Sequence, residues 1–203
     1  EIIKETERIA AIVKNLLGFA RRDEKHALSM ARPVDIVTST LSLMNTVLRH
    51  DQIVLSVDVP DDMPSIRCHS QQLQQVLMNL ATNARDALNE KYPGYDANKR
   101  ILVTATVRDT GIGDAGMLEG SERVPTIPQA PIPESQNPSI PASPHRFLRI
   151  TVEDRGNGIS EATRERLFEP FYTTKKPDKG TGLGLSISHG IVKHHGGELK
   201  VES

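Results

Sequence analysis

Three stretches of this chain carry residue types whose spacing could do chemistry. In the segment from Gln71 to Glu90, Asn79, Asn83, Asp86 and Glu90 fall 4, 3 and 4 residues apart. On a helix that spacing lines them along one face. Asparagine is a poor residue inside a helix because its side chain competes for the backbone. Two of them one turn apart, followed by carboxylates, make either an ordinary solvated polar face or a row of oxygen ligands for a hard cation carried by a phosphate. The second stretch is Asp154-Arg-Gly-Asn-Gly158-Ile159. A carboxylate at a strand end accepts a hydrogen bond from a flat heterocycle, while glycines let the ring approach the backbone. Asp109-Thr-Gly-Ile-Gly113 has the same pattern, but it opens onto a Pro-rich segment and reads as a coincidental turn. The third stretch is Lys179-Gly-Thr-Gly-Leu-Gly-Leu-Ser186, where glycines alternate just before an apolar helical pattern. Such a loop aims backbone N–H groups and a helix dipole at one place, which suits phosphate. Gly-rich turns also form simply because the chain must pass close to a neighbour.

The elements that position these stretches follow from hydrophobic spacing. Ile2, Ile9 and Leu16 recur every seven residues, with Ile12, Val13, Phe19 and Ala20 beside them. One apolar stripe over residues 1–22 predicts a helix for a dimer or helical hairpin whose partner is not in this chain. The charge cluster Arg21-Arg22-Asp23-Glu24-Lys25 reads as a solvated helix end or linker, and residues 23–32 as the linker. Pro33 suits a first helical turn, and Val37, Leu41, Met44 and Leu48 continue that helix to about His50. Alternation at Ile53, Leu55, Val57 and Val59 predicts a strand. The helix over 71–90 buries Leu73, Val76, Leu77, Leu80, Ala84, Ala87 and Leu88. Ile101–Val107 and Phe147–Glu153 are further strands, a hairpin whose tip carries residues 109–146. That insertion holds seven of the thirteen prolines and reads as an extended spacer. Ser160 is an N-cap, and His194-His195-Gly-Gly ends the last helix. Glu198–Glu202 begins a strand. His26, His50 and His69 stand alone and read as surface or capping residues, and the adjacent pair His194-His195 does not share a helix face.

Composition bounds the function. A net charge of −1 over 203 residues leaves no broad nucleic-acid footprint or polybasic membrane patch. Cys68 is the single cysteine, which fits a reducing compartment. No apolar run of about 18 residues exists, so no membrane span is expected. Together these predict a cytoplasmic segment. Aromatics are 3% of the chain, so the core must be aliphatic.

Four pieces in fixed order carry a resemblance. They are Asn79-Leu-Ala-Thr-Asn-Ala-Arg-Asp-Ala-Leu88, Asp154-x-Gly-x-Gly-Ile159, Phe168-Glu-Pro-Phe171 and Gly180-Thr-Gly-Leu-Gly184. As a set they resemble the N, G1, F and G2 boxes of the histidine-kinase catalytic and ATP-binding domain, in the Bergerat-fold ATPase superfamily. The resemblance covers residues 33–203 apart from the insertion. Residues 1–22 resemble the second helix of the dimerisation and phosphotransfer domain. The fold implied is an α/β (α+β) two-layer sandwich, a mixed sheet with helices on one face, preceded by one long helix. The cofactors implied are ATP and Mg²⁺, with Asp154 on the adenine amino group and Asn83 on the metal. Asp86, Gly156, Gly158, Ile159 and Phe168 would complete the base and cation end. Gly180, Thr181, Gly182, Leu183 and Gly184 would cradle the phosphates. Thr173, Thr174, Lys175 and Lys179 would belong to a lid, its lysines serving the phosphate charge. Asn79 stands where related ATPases outside the kinase branch carry a glutamate base. An amide cannot take water's proton, which implies transfer to a protein side chain over hydrolysis. The partners implied are a second copy, bound through the N-terminal helix and its missing mate, and a response regulator receiver domain. The family's phosphoacceptor motif, a histidine followed by an acidic residue and soon by Asn-Pro, is absent at all seven histidines. A nucleotide-dependent interaction module of the same fold, without catalysis, is the alternative reading.

Overall fold

The computed structural model describes residues 28–109, 146–175 and 180–203. The expected helix over 1–22, nearly all of the insertion and Lys179 lie outside the described residues. Val107–Arg149 forms a unit of its own, of which the ends of two strands are described. The remaining features belong to the unit built from the chain on either side of it.

That unit starts with β1 (Ser29–Ala31), which pairs antiparallel with β3 (Ile66–Cys68). Part of the expected linker over 23–32 is therefore a strand; three residues are too few to show alternation. Helix α1 (Pro33–His50) begins with proline in its first turn and Asp35 held by Arg32 at 2.7 Å. Its buried stripe is Ile36, Val37, Thr40, Leu41, Met44 and Leu48. Thr40, 1% exposed, donates to the Ile36 carbonyl at 2.7 Å, so its hydroxyl is satisfied inside the core. The helix ends in a left-handed Gln52 (φ 57), with Gln52 N–H on the Arg49 carbonyl and Ile53 N–H on the Leu48 carbonyl. This is a Schellman turn, and it folds Ile53 back onto the core.

Strand β2 (Val54–Asp58) runs parallel to β4 (Arg100–Asp109), and the sheet order is β2-β4-β5, with β5 at Arg146–Asp154. Asp109 ends β4, and the rest of the expected Asp109–Gly113 turn lies outside the described residues. Ile101, Val103 and Ala105 alternate to the inside of β4, each at 2% exposure or less. Helix α2 (Ser70–Lys91) buries Leu77, Ala81, Ala84 and Leu88 against α1 and this sheet face. Burying each large aliphatic side chain there is worth about 1.5–3 kcal/mol before entropy is subtracted. The result is the expected α+β arrangement of sheet and helices.

Two short elements complete the unit. Helix α3 (Glu161–Arg166) starts at Ser160, whose hydroxyl accepts from Thr163 N–H at 3.3 Å, as expected of an N-cap. Helix α4 (Gly184–His194) packs on α2 through a second apolar cluster of Val76, Leu183, Ile187 and Ile191. It ends with Gly196 left-handed (φ 72) in another Schellman turn. Glu198–Glu202 does not form a strand; alternation alone does not supply a ladder partner, and Ser203 instead accepts from Ile159 N–H through its hydroxyl.

His26 lies outside the described residues and His50 is exposed as expected, but His69 is not solitary. His69 N–H donates to His195 Nε2 at 3.1 Å, and His195 Nδ1 lies 2.9 Å from the Ile191 carbonyl. The rings of His69, His194 and His195 sit 5.6–6.2 Å apart. A separation of 126 residues hides this junction from local sequence reading. Among the described residues no His, Cys, Asp or Glu group could hold a metal by itself.

Candidate functional site

The polar face of α2 does three different jobs. Asn79 donates through Nδ2 to the Gly184 carbonyl at 3.0 Å and to Ser188 Oγ at 3.1 Å. Ser188, 0% exposed, donates in turn to the Gly184 carbonyl at 2.8 Å. Asn79 therefore ties the glycine loop and the start of α4 to α2. One turn later, Asn83 Oδ1 and Asp86 Oδ2 converge on a single cation, the Lys175 ammonium, at 3.2 and 2.6 Å. Glu90, at the end of the row, is exposed. The expected row is therefore divided: Asn79 is turned to the glycine loop, Asn83 and Asp86 to a lysine ammonium, and Glu90 to solvent.

Asp154 ends β5, and its Oδ1 accepts from Gly156 N–H at 2.7 Å. That bond fixes the carboxylate of a residue that is exposed. Gly156 is required by closeness: a Cβ there would lie 2.6 Å from both Ala87 Cβ and Asp154 Oδ1. Lys91 clamps the same loop to α2, donating to the carbonyls of Arg155 and Gly156 at 2.9 and 2.8 Å. Gly158 is left-handed (φ 72), and Ile159 follows it half-buried.

The glycine loop is clipped to the Phe-Glu-Pro-Phe turn. Phe171 N–H donates to the Gly182 carbonyl at 3.0 Å. Both residues are left-handed, Gly182 at φ 67 and Phe171 at φ 67, which is unusual for a phenylalanine. A Cβ on Gly182 would fall 2.3 Å from the Phe171 carbonyl carbon. Leu183, 4% exposed, is the loop's anchor in the α2–α4 core. Thr181 Oγ1 accepts from Leu183 N–H at 3.4 Å, and Thr173 Oγ1 from Lys175 N–H at 3.2 Å. Phe168 stacks on His189 with centroids 4.6 Å apart. Thr174 is exposed. Gly180 would place a Cβ 2.6 Å from Thr173 Oγ1 and 3.0 Å from Lys175 Cβ, so the stem of Lys175 lies against the glycine loop.

Comparison with known proteins decides what this constellation is. Residues 133–203 match the family described as histidine kinase-, DNA gyrase B-, and HSP90-like ATPase. The chain is 31% identical, over its whole length, to the sensor kinase CckA of Brucella abortus, of which it covers 18%. It is 29% identical, again over its whole length, to sporulation kinase E of Bacillus subtilis, covering 21% of it. The chain thus spans about a fifth of the length of these relatives. The catalytic domain of histidine kinase ThkA has the same fold, with a TM-score of 0.52 at 20% identity, covering 83% of this chain and 82% of that one. A second ThkA structure, in complex with the response regulator protein TrrA, gives 0.56 over 97% of this chain and 43% of that one at 20% identity. Full-length ShkA in complex with AMPPNP gives 0.58 over 93% of this chain and 31% of that one at 21% identity.

The chain is thus similar to histidine-kinase ATP-binding domains, and residues 133–203 are the part that the ATPase family matches. Helix α2 touches both the loop after β5, through Ala87 and Lys91, and the start of α4, through Asn79. The donor set fits a magnesium nucleotide: Asn83 and Asp86 already hold one cation between an amide oxygen and a carboxylate. Mg²⁺ takes such hard oxygens at about 2.0–2.1 Å and completes its shell with phosphates and water. Sequence reading missed Ser188, His189 and Ser203. Each acts through a contact more than twenty residues away or through a loop clasp, with no local pattern to announce it.

An open polar cleft of about 330 Å³, lined by His50, Asp51, Gln52, Asn89, Pro93 and Lys99, is separate from these residues. It belongs to the Asp51 network. Burial pushes the Asp51 carboxyl up, but hydrogen bonds from Asn89, Arg85 and His50 and the Arg85 charge outweigh it and hold it at about 2. That network staples the C-terminal end of α1 to α2.

Proposed function

We propose that this chain is the ATP-binding catalytic portion of a two-component sensor histidine kinase. The observation that carries the reading is the convergence of Asn83 and Asp86 on one cation beside the clipped Gly180–Gly184 loop. Asp154, fixed by Gly156 N–H, would accept from the adenine amino group. The N–H groups at the start of α4 would face the phosphates, with the helix dipole behind them. Mg²⁺, when bound, would neutralise phosphate charge, held by Asn83 with Asp86 beside it. Asn79 would position the loop; being an amide, it cannot act as the base for water. In the reaction the bond from the γ-phosphorus to the bridging oxygen breaks, a P–N bond to an imidazole forms, and ADP leaves. Phosphoryl transfer asks mainly for positioning and charge neutralisation, which this site supplies. None of the seven histidines has the phosphoacceptor context, so the acceptor would come from another segment. By analogy with the named relatives, the phosphate would pass on to a receiver-domain aspartate. Residues 1–22 would join a second copy. No helix among the described residues is long and apolar enough to cross a membrane, and this segment would work in the cytoplasm.

The test is to incubate the chain with γ-labelled ATP and a separate fragment bearing a histidine-kinase phosphoacceptor helix. Label on the fragment's histidine is the expected result. ATP binding without transfer would favour the interaction-module reading, and steady phosphate release without acceptor would favour a water-using ATPase.

A further inference from the structure

The Lys175 contact goes beyond what nucleotide binding requires. A lysine that only served phosphates would extend toward the glycine loop. Instead its ammonium sits on the metal-side oxygens, 2.6 Å from Asp86 Oδ2 and 3.2 Å from Asn83 Oδ1. Its stem lies against the position of a Gly180 Cβ, at 3.0 and 3.4 Å. Asp86 has another cation near, Arg85, but at 3.8 Å from the other oxygen, and Arg85 is engaged by Asp51. Lys175 is therefore the group that closes the pair of oxygens. Lys175 and Asp86 side chains are 31% and 32% exposed, so the pair can open without unfolding anything.

We infer that Lys175 is a built-in stand-in for the divalent cation. In the absence of nucleotide it fills the seat formed by Asn83 and Asp86, keeps free metal out, and pins the segment before the glycine loop to α2. This rests on the proposed reading of the site. A monovalent ammonium and Mg²⁺ both satisfy hard oxygens, but they cannot share the seat, since two cations there would repel. Arrival of a metal nucleotide displaces the ammonium. Because its stem is already against Gly180, the freed charge is delivered beside the phosphates. Cation entry and release of the Lys175 ammonium thus become one event, and metal without nucleotide does not trigger it: it offers the displaced ammonium no phosphate to neutralise.

The experiment is a titration of the chain with Mn²⁺ alone, without nucleotide, read by the electron paramagnetic resonance signal of free Mn²⁺. Lys175→Met should bind Mn²⁺ up to about fivefold more tightly than the parent, the factor expected from removing a part-exposed ion pair. Lys175→Arg, which keeps a cation, should not gain. Adding Asp86→Asn to Lys175→Met should abolish the gain. The gain should survive in about 1 M KCl, where the Debye length is about 3 Å and remote charge effects are screened. Equal Mn²⁺ affinity in parent and Lys175→Met, or a gain that vanishes in salt, would overturn the inference. Binding of Mg-ADP to the parent is measured alongside. If it is absent, the nucleotide reading fails; if it is present while the Mn²⁺ gain is missing, only the stand-in role fails.

Discussion

Two glycines of one motif should respond oppositely to the same substitution. Gly182→Ala puts a methyl group 2.3, 2.5 and 2.7 Å from three backbone atoms of Phe171. Backbone cannot rotate away as a side chain can, so the clip must open. The left-handed φ of 67 adds about 1–2 kcal/mol for a residue with a Cβ. Losing the Phe171 N–H to Gly182 carbonyl bond adds about 0.5–1.5 kcal/mol. The clipped loop is thus disfavoured by roughly 2–3 kcal/mol, which is about thirty- to a hundred-and-fortyfold in an equilibrium. Gly184→Ala differs: its Cβ would meet only the Asn79 side chain, at 3.7–3.9 Å, which is ordinary contact. It starts α4, and alanine in a helix is favoured over glycine by up to about 1 kcal/mol. The assay is thermal unfolding of both variants with Mg-ADP titration of each. Gly182→Ala should lose about thirtyfold or more in affinity, while Gly184→Ala should unfold at or above the parent temperature. Equal damage from both, or an unaffected Gly182→Ala, would refute the steric reasoning.

Asp51→Asn should cost stability in a pH-dependent way. The folded carboxyl titrates at about 2 against 3.8 for the free group, so its contribution is present above the unfolded value and is lost as pH falls from about 4 through the folded value. The shift bounds it at about 2 kcal/mol. Urea unfolding of parent and variant should differ by up to that amount at pH 7 and converge near pH 2; a difference independent of pH would contradict the assignment. Asn79→Ala should lower stability by about 1–3 kcal/mol, from two lost hydrogen bonds. It should also loosen hydrogen-exchange protection at the start of α4, and exchange unchanged there would contradict its role as a tie.

Regular elements were legible because burial is periodic. The stripe of Val37, Leu41, Met44 and Leu48 and the alternation of Ile101, Val103 and Ala105 reappear in the core. The N-cap at Ser160 and the Gly196 helix stop were readable because their chemistry is local. The boxes gave the site's parts. Their connections were not readable, since Asn79 to Gly184, Lys175 to Asp86 and His69 to His195 span 105, 89 and 126 residues. Asn79 illustrates the difference. Its type excludes a base, but its place on the Gly184 carbonyl and Ser188 hydroxyl depends on how α4 packs on α2. Edges were the weakest reading: β1 lies inside the expected linker, and Glu198–Glu202 alternates without pairing.

The most direct measurement is calorimetric titration of Mg-ATP into the parent chain and Asp154→Asn. The variant keeps shape and can still accept from Gly156 N–H, but it loses the charge and presents an amide donor where the adenine amino group needs an acceptor. A hydrogen bond to a charged group is worth about 1.5–3 kcal/mol, so affinity should fall by at least about tenfold with the fold intact. Unchanged Mg-ATP affinity in Asp154→Asn would contradict the placement of the base, and with it the account of the site.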